Sequence, residues 1–188
     1  MGSGKCKFHW GRCFKGFIIG GAEAGAQIAE ACAVRARNRH PNIKITGQNL
    51  IVPITCSGTD SKMPGKWLNS LTSHAENKYA VVFDERMFQM FVNALGIPED
   101  ELRNGENFPL WAYPKGLPPA YLAMDEYDPF RDHAFLYAEL LREAGVLTRT
   151  DYYRGLSNMF VHYPQIPDTA RAGWQQSAAV RWLLDERK

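Results

Sequence analysis

The chain has 188 residues, of which 45% are hydrophobic and 22% are charged, and this composition is ordinary for a single globular domain. Its net charge of +2 is too small to predict nucleic acid or an anionic membrane surface as a partner. Glycines and charged residues interrupt the N-terminal region, so we expect neither a secretory signal nor a membrane-spanning segment, and the cytosol is the predicted compartment.

Four cysteines are too few for a disulfide framework at this length. Cys32 and Cys56 lie in apolar segments, which predicts that both are small core residues. Residues 1–15 have no hydrophobic period and are interpreted as an irregular N-terminal arm. Three potential zinc ligands lie in this arm: Cys6, His9 and Cys13. Without a second ligand pair elsewhere they do not form a zinc motif, so we predict no metal and no cofactor.

The segment Gly16–Ala29 predicts a strand, a sharp turn and a helix, because a short apolar run ends in two glycines and an alanine-rich stretch follows. Its centre, Gly21-Ala22-Glu23-Ala24-Gly25, has the spacing of a nucleophile elbow. In such an elbow, small flanking residues allow a strained turn to project one side chain above the sheet at a helix N-terminus. Glu23 stands at the position where an elbow normally carries serine. The sequence therefore predicts the backbone of an elbow without its hydroxyl nucleophile.

The elements after the elbow alternate between helix and strand. A helix is predicted over Ala24–Arg39 and a strand, buried on both faces, over Thr46–Cys56. A polar excursion over Ser57–Asn77 precedes a helix over Glu85–Leu95. We expect the Met and Phe side chains of that helix to pack into the core rather than to line a substrate pocket.

The C-terminal part of the chain repeats the alternation. A strand is predicted to run to Met124 and to end in the polar loop Asp125–Asp128. Three further elements are predicted: a helix over His133–Ala144, a strand over Val146–Tyr153 and a closing amphipathic helix over Thr169–Arg187.

Two further motifs accompany the elbow. Asp128-Pro129-Phe130-Arg131-Asp132 resembles the acid motif D-P-L-R-D, and the stretch YRGLSNMF over Tyr153–Phe160 resembles the histidine motif Y-P-G-x-x-H-G-F. With the elbow, these motifs resemble the hormone-sensitive-lipase-like branch of the α/β-hydrolase fold, especially its fungal esterase-type members. The order of nucleophile, acid and base along the chain is also that of the family.

The resemblance implies an α/β fold equivalent to the C-terminal half of an α/β-hydrolase, with about four parallel strands, flanking helices and a small helical insertion. Residues 16–188 would form this partial domain, and residues 57–115 would form an insertion or cap-like segment within it. In the family, an oxyanion loop with an H-G-G-type motif precedes the elbow by a long stretch of chain. Residues 1–15 contain no such motif.

The resemblance places the catalytic triad at Glu23, Asp128 and Asn158, and it assigns one oxyanion donor to the backbone N–H of Ala24. Only the aspartate keeps its family identity. A carboxylate cannot replace the serine hydroxyl in the usual mechanism, and an amide does not titrate and so cannot act as the general base. The resemblance therefore implies a degenerate esterase-like hydrolase with little or no ester hydrolysis.

Other roles for the same positions stay open. In the simplest, the Glu23 carboxylate hydrogen-bonds Asn158 and the amides at the helix start. In a second, Glu23 and Asp128 act as acid and base in a repurposed enzyme of a fungal secondary pathway, on a small carbonyl or ester compound. A hard-cation site built from the three triad-position oxygens has no supporting loop motif. His133 and His162 are interpreted as solvated or hydrogen-bonded helix residues rather than as replacement bases.

The predicted partners follow from the same resemblance. A small-molecule ligand is expected, and nucleic acid and membrane are not. In the family, the elbow strand lies inside the sheet, so a half-fold would leave Phe17–Gly20 as an apolar edge. Such an edge is a template for pairing, and we expect self-association or a partner chain there.

Overall fold

A computed structural model of the chain describes residues 16–58 and 63–185. The potential zinc ligands and the N-terminal arm considered above lie outside these residues. The strands are β1 (Ile18–Ala22), β2 (Gly47–Ile51), β3 (Ala120–Tyr127) and β4 (Thr148–Ser157). The helices are α1 (Ala24–Arg39), α2 (Gly65–Ser70), α3 (Ser73–Glu76), α4 (Glu85–Ala94), α5 (Arg131–Glu143) and α6 (Pro167–Asp185). Short 3₁₀ turns occur at Glu99–Glu101, Pro109–Trp111 and Phe160–His162.

The four strands form one parallel sheet in the order β1-β2-β3-β4. Helices α1 and α5 pack against one face of this sheet, and α6 packs against the other. The chain between β2 and β3 carries α2, α3 and α4. This arrangement confirms the predicted α/β fold class with four parallel strands and flanking helices.

Strand β3 is the centre of the core because it is covered on both faces. Leu122 and Met124 are fully buried on the side of α1 and α5, whereas Tyr121 and Ala123 pack against α6. The alternation follows from the two-residue period of a strand, and the nearly continuous apolar sequence follows from the cover on both faces.

Three strand boundaries differ from the sequence predictions. Strand β2 ends at Ile51 instead of Cys56: Val52 has a positive φ of 42° and Pro53 has no N–H for a ladder. The predicted polar loop after Met124 is strand, since β3 pairs with β4 as far as Tyr127. Strand β4 likewise runs on to Ser157. Polar residues near the end of a strand were thus mistaken for a turn.

Two predictions of core residues were wrong. Cys32 is exposed, whereas Cys56 is buried as predicted. On α4 only Phe88 is buried, and four large apolar side chains of this region remain exposed: Met87, Met90, Phe91 and Leu95. The amphipathic face of α4 therefore does not cover the sheet. Among residues 16–58 and 63–185, no helix is long and apolar enough to cross a membrane.

The main core contains a buried carboxyl group that the sequence did not reveal. Glu30 of α1 is fully buried, and neither of its carboxyl oxygens has a hydrogen-bond partner among the described residues. The Tyr137 hydroxyl and the indole N–H groups of Trp67 and Trp111 are also buried without a partner there. Burial raises the pKa of Glu30 well above its ordinary value, so the fold favours the neutral acid.

Replacing Glu30 with glutamine should change how stability depends on pH. Because the pKa of Glu30 is higher in the folded than in the unfolded protein, the wild type has its full stability below the unfolded pKa of about 4.3. It loses part of that stability as the pH rises towards the folded pKa. The Glu30→Gln variant has no such loss. Above a pH of about 4.3, the difference in free energy of unfolding, variant minus wild type, should therefore rise by up to about 1.4 kcal/mol per pH unit. Urea unfolding at half-unit pH steps measures this difference. Glu139 on α5 is exposed, so Glu139→Gln is the matched control. If the difference in free energy of unfolding between Glu30→Gln and wild type did not change with pH, the raised pKa of Glu30 would be contradicted.

Candidate active site

The elbow turn holds Glu23 in an unusual backbone conformation with positive φ, at φ 51° and ψ −117°. Its N–H donates to the carbonyl of Ile51 at 2.9 Å, and its carbonyl accepts from the N–H of Gln27 at 3.0 Å. A non-glycine residue with positive φ is uncommon and marks a strained turn. The Glu23 side chain therefore leaves the turn at the C-terminal end of β1 and the start of α1.

Two glycines make this turn possible. A Cβ atom on Gly20 would clash with the carbonyl oxygen of Asn49 on the neighbouring strand, and one on Gly21 would clash with the backbone of Gly25. The first glycine lets β1 and β2 approach each other, and the second lets α1 begin directly against the end of β1. The small residues that identify the elbow in the sequence thus have a steric cause.

The two residues that the resemblance places at the acid and base positions lie together after the ends of β3 and β4. Asp128 follows β3 and Asn158 follows β4, and both side chains are fully buried. The Asn158 side-chain amide donates to Oδ2 of Asp128 at 3.1 Å, and the N–H of Phe130 donates to Oδ1 at 2.8 Å. The structure thus brings these two side chains into a direct hydrogen bond, and their roles as triad acid and base positions stay a prediction from the resemblance.

Glu23 does not make the hydrogen bonds that the simplest interpretation predicted. Asn158 uses its amide for Asp128, and the Glu23 side chain does not cap α1. One Glu23 oxygen, Oε1, is buried without a hydrogen-bond partner in the described structure, and so is Oδ1 of Asn158. The interpretation of Glu23 as a capping and pairing residue was therefore wrong.

A third carboxyl group, Asp125, joins this site and was missed in the sequence. Burial raises its pKa to about 8, and the negative charges of Asp128 and Glu23 contribute to the rise. Burial also raises the pKa of Asp128 to about 7, despite the hydrogen bonds from Phe130 and Asn158, and the charge of Glu23 adds to this shift. Asp125 could have been found only by recognising that β3 continues past Met124.

A cavity of about 270 Å³ opens beside the elbow. Its walls are mostly apolar, and Glu23 is the one ionisable residue among those that line it. The lining comprises Glu23, Ala24, Gln27, Ile54, Phe83, Phe88, Phe91, Val92, Ala94 and Leu95. The prediction that the apolar face of α4 packs into the core is therefore wrong except at Phe88, and a substrate-lining role for this face is not tested by the cavity alone. The oxyanion role of Ala24 stays a prediction, although the residue begins α1 and faces the cavity.

Aromatic rings hold the α4 wall of the cavity in place. The rings of Phe83 and Phe91 are stacked with centroids 5.7 Å apart, and the Phe88 ring packs edge-on against Phe130, at 4.8 Å. Asp84 caps α4 by accepting from the N–H of Met87 at 2.7 Å.

A chain of polar side chains lies behind this wall. The Nε2 atoms of His74 and His133 are 2.7 Å apart, and Nδ1 of His74 contacts the carboxylate of Glu85. The Cys56 sulfur lies 3.4 Å from Nε2 of His133. Burial, followed by the charge of His74, lowers the pKa of His133 well below its ordinary value, so this imidazole is neutral.

The positions of the two other histidines considered in the sequence are now clear. His133 is a buried, hydrogen-bonded helix residue and His162 is exposed, which confirms that both have ordinary structural environments. Over residues 16–58 and 63–185, no group of three or more His, Cys, Asp or Glu side chains is arranged to hold a metal ion.

Comparison with known proteins gives one family. A family model for the alpha/beta hydrolase fold matches residues 5–162. The chain is 29% identical over 180 residues to the versiconal hemiacetal acetate esterase of Dothistroma septosporum, covering 93% of this chain and 52% of that protein. It is 32% identical over 176 residues to esterase LipI of Mycobacterium tuberculosis, covering 88% of this chain and 49% of that protein.

Solved structures give the same result. The crystal structure of vibralactone cyclase superimposes with a TM-score of 0.80 at 28% identity, covering 92% of this chain and 50% of that chain. The chain spans about half the length of the relatives it matches. Since the family model matches most of the sequence and the sheet has the expected parallel order, the chain belongs to the alpha/beta hydrolase fold family.

Proposed function

We propose that this chain binds an apolar small molecule in the elbow cavity and does not hydrolyse esters through a catalytic triad. The observation that carries the proposal is the side chain at the elbow. Glu23, in the backbone conformation that presents a nucleophile, offers a carboxylate to an otherwise apolar cavity. The base position, Asn158, holds an amide that is already committed to Asp128.

The chemistry of these groups supports the absence of ester hydrolysis. Acyl transfer by a triad needs a hydroxyl or thiol that gives its proton to an imidazole, which later returns the proton to the leaving group. Neither Glu23 nor Asn158 supplies such a proton transfer. Loss of one triad member costs several orders of magnitude in rate. The esterase activities in the relatives' names are therefore not assigned to this chain.

A second candidate function is acid–base catalysis by Glu23 and Asp128, on a small carbonyl or ester compound in a fungal secondary pathway. The favouring observation is the pKa of Asp128, about 7, which suits proton transfer near neutral pH. Vibralactone cyclase, whose solved structure has a similar fold, is by its name a cyclase, and this is consistent with chemistry other than hydrolysis. Such an enzyme would show a bell-shaped pH profile and would lose turnover in Asp128→Asn.

The edge of the sheet supports a proposal about partners. Strand β1 pairs with β2 on one side, and no strand in the described part of the chain pairs with its other side. Phe17, which directly precedes β1, and Ile28 on α1 are exposed apolar residues. A second copy of the chain or another protein would cover this edge through strand pairing.

The ester proposal is tested with short-chain p-nitrophenyl esters and a serine-directed fluorophosphonate. Purified protein should give no turnover above buffer and no labelling, because the elbow carries no hydroxyl. Labelling that is abolished by mutation of one particular serine would overturn the proposal.

The double variant Glu23→Ser with Asn158→His is the matching gain-of-function experiment. It rebuilds the nucleophile and the base beside Asp128, yet no motif in this sequence assigns a second oxyanion donor. We expect ester turnover to stay far below that of an intact esterase. Rates comparable to a whole esterase would show that the remaining machinery is complete.

The edge proposal is tested by size-exclusion chromatography with light scattering at several protein concentrations. The mass should rise with concentration, and Phe17→Lys at the edge should reduce association because charge disfavours strand pairing. Val81→Lys introduces the same charge at an almost fully exposed residue away from the sheet and should have no effect. A sharp monomer at all concentrations, with cooperative unfolding, would contradict the proposal.

A further inference from the structure

The elbow cavity combines aromatic walls with a single carboxylate, and we infer that its ligand is a cationic amine with an apolar body. This inference rests on the proposed binding function and names the ligand class of the same site. It assigns Glu23 the role of a counter-ion for the bound cation, in place of a nucleophile.

The walls are suited to the apolar body and to the charge. Phe83, Phe88 and Phe91 line the cavity with aliphatic side chains between them. Aromatic rings attract a cation through the negative potential of their faces, in addition to their hydrophobic contact. Phe91 is about half exposed, so a ligand would cover apolar surface that now contacts water.

The carboxylate of Glu23 has a free acceptor for such a ligand. Its Oε1 atom is buried without a hydrogen-bond partner in the residues that the structure describes, and Glu23 is part of the cavity lining. Buried acceptors are nearly always paired. An ammonium N–H offers the missing donor together with the opposite charge, and a charge-assisted hydrogen bond is the strong form of that interaction.

The charges behind Glu23 favour the same sign of ligand. Asp125 and Asp128 are buried close enough for Glu23 to raise the pKa of both groups. Arg131 is the cation that also acts on Asp128, and its guanidinium is engaged by the carboxylates of Asp132 and Glu76. Ionisation of Asp125 or Asp128 therefore adds negative charge behind Glu23, which repels an anionic ligand and disfavours the carbonyl oxygen of an ester next to Glu23.

Binding of a cation should be linked to proton release. A positive charge next to Glu23 favours the ionised forms of Asp125 and Asp128, whose pKa values are about 8 and about 7. Affinity for a permanently charged ligand should thus rise as pH increases through this range. Affinity for an uncharged ligand of the same shape should stay nearly constant.

The experiment compares 2-phenylethylamine with 2-phenylethanol by isothermal titration calorimetry at pH 6 and pH 8. The two probes share a phenyl ring and chain length, and the amine remains protonated at both pH values because alkylamines titrate near 10. We expect the amine to bind about tenfold more tightly than the alcohol at pH 8, and several-fold more weakly at pH 6 than at pH 8.

Variants then assign the effect to named side chains. Glu23→Gln keeps the shape and removes the charge, so it should bring amine affinity down to that of the alcohol and leave alcohol affinity within about twofold. Glu139→Gln, on the exposed face of α5, removes the same charge at a distance and should change neither. Phe91→Leu keeps an apolar wall without a ring and should weaken the amine more than the alcohol. Circular dichroism melts check that each variant is folded.

The possible results separate this inference from the function on which it rests. Equal binding of both probes, unaffected by Glu23→Gln, overturns the cationic ligand and leaves the apolar binding cavity standing. Absence of binding by either probe at millimolar concentration overturns the inference and contradicts the binding function as well. Ester turnover in the separate hydrolysis assay would overturn the proposed function without reference to the amine.

Discussion

The close approach of backbone at the elbow is the constraint on which the site depends. Gly21 lies against the backbone of Gly25 with no room for a side chain, so the strand and the helix meet without a spacer. Glu23 is held at positive φ between them, and its side chain lines the cavity. Its charge also acts on Asp125 and Asp128, so the turn brings the cavity and the carboxyl groups to one place.

This local geometry does not depend on the chemistry that it presents. The turn hydrogen bonds of Glu23 involve only its backbone, so exchange of the side chain leaves the scaffold intact. The Asp128–Asn158 pair is similarly tolerant, because an amide can donate to the carboxylate as an imidazole would. The fold can therefore keep the positions of a triad after the reactive groups have changed, which is why fold alone does not establish activity.

The sequence predicted those features that local rules determine. The elbow, α1 and the positions of the strands follow from glycine placement, helical period and apolar runs, whereas their parallel pairing was implied by the family resemblance. The errors occurred where tertiary contacts override local signals. Asp125 is polar, yet pairing with β4 keeps it in a strand, and the apolar face of α4 indicated burial although it faces an open cavity. The burial of Glu30 and the His74–His133 contact were invisible, because both arise from elements that lie far apart in the sequence and pack together only in the fold.

The contact between His74 and His133, behind the cavity wall, depends on how the two imidazoles are protonated. His133 belongs to α5 against the sheet, whereas His74 belongs to α3 and contacts Glu85 at the start of α4. Two facing Nε2 atoms at 2.7 Å require one ring to donate and the other to accept, so a second proton would place two N–H groups against each other. The contact therefore persists as long as one imidazole stays neutral. Because burial holds the pKa of His133 well below its ordinary value, mild acid leaves that ring neutral, and the link from α5 through α3 to the start of α4 tolerates a fall in pH that would charge an exposed histidine.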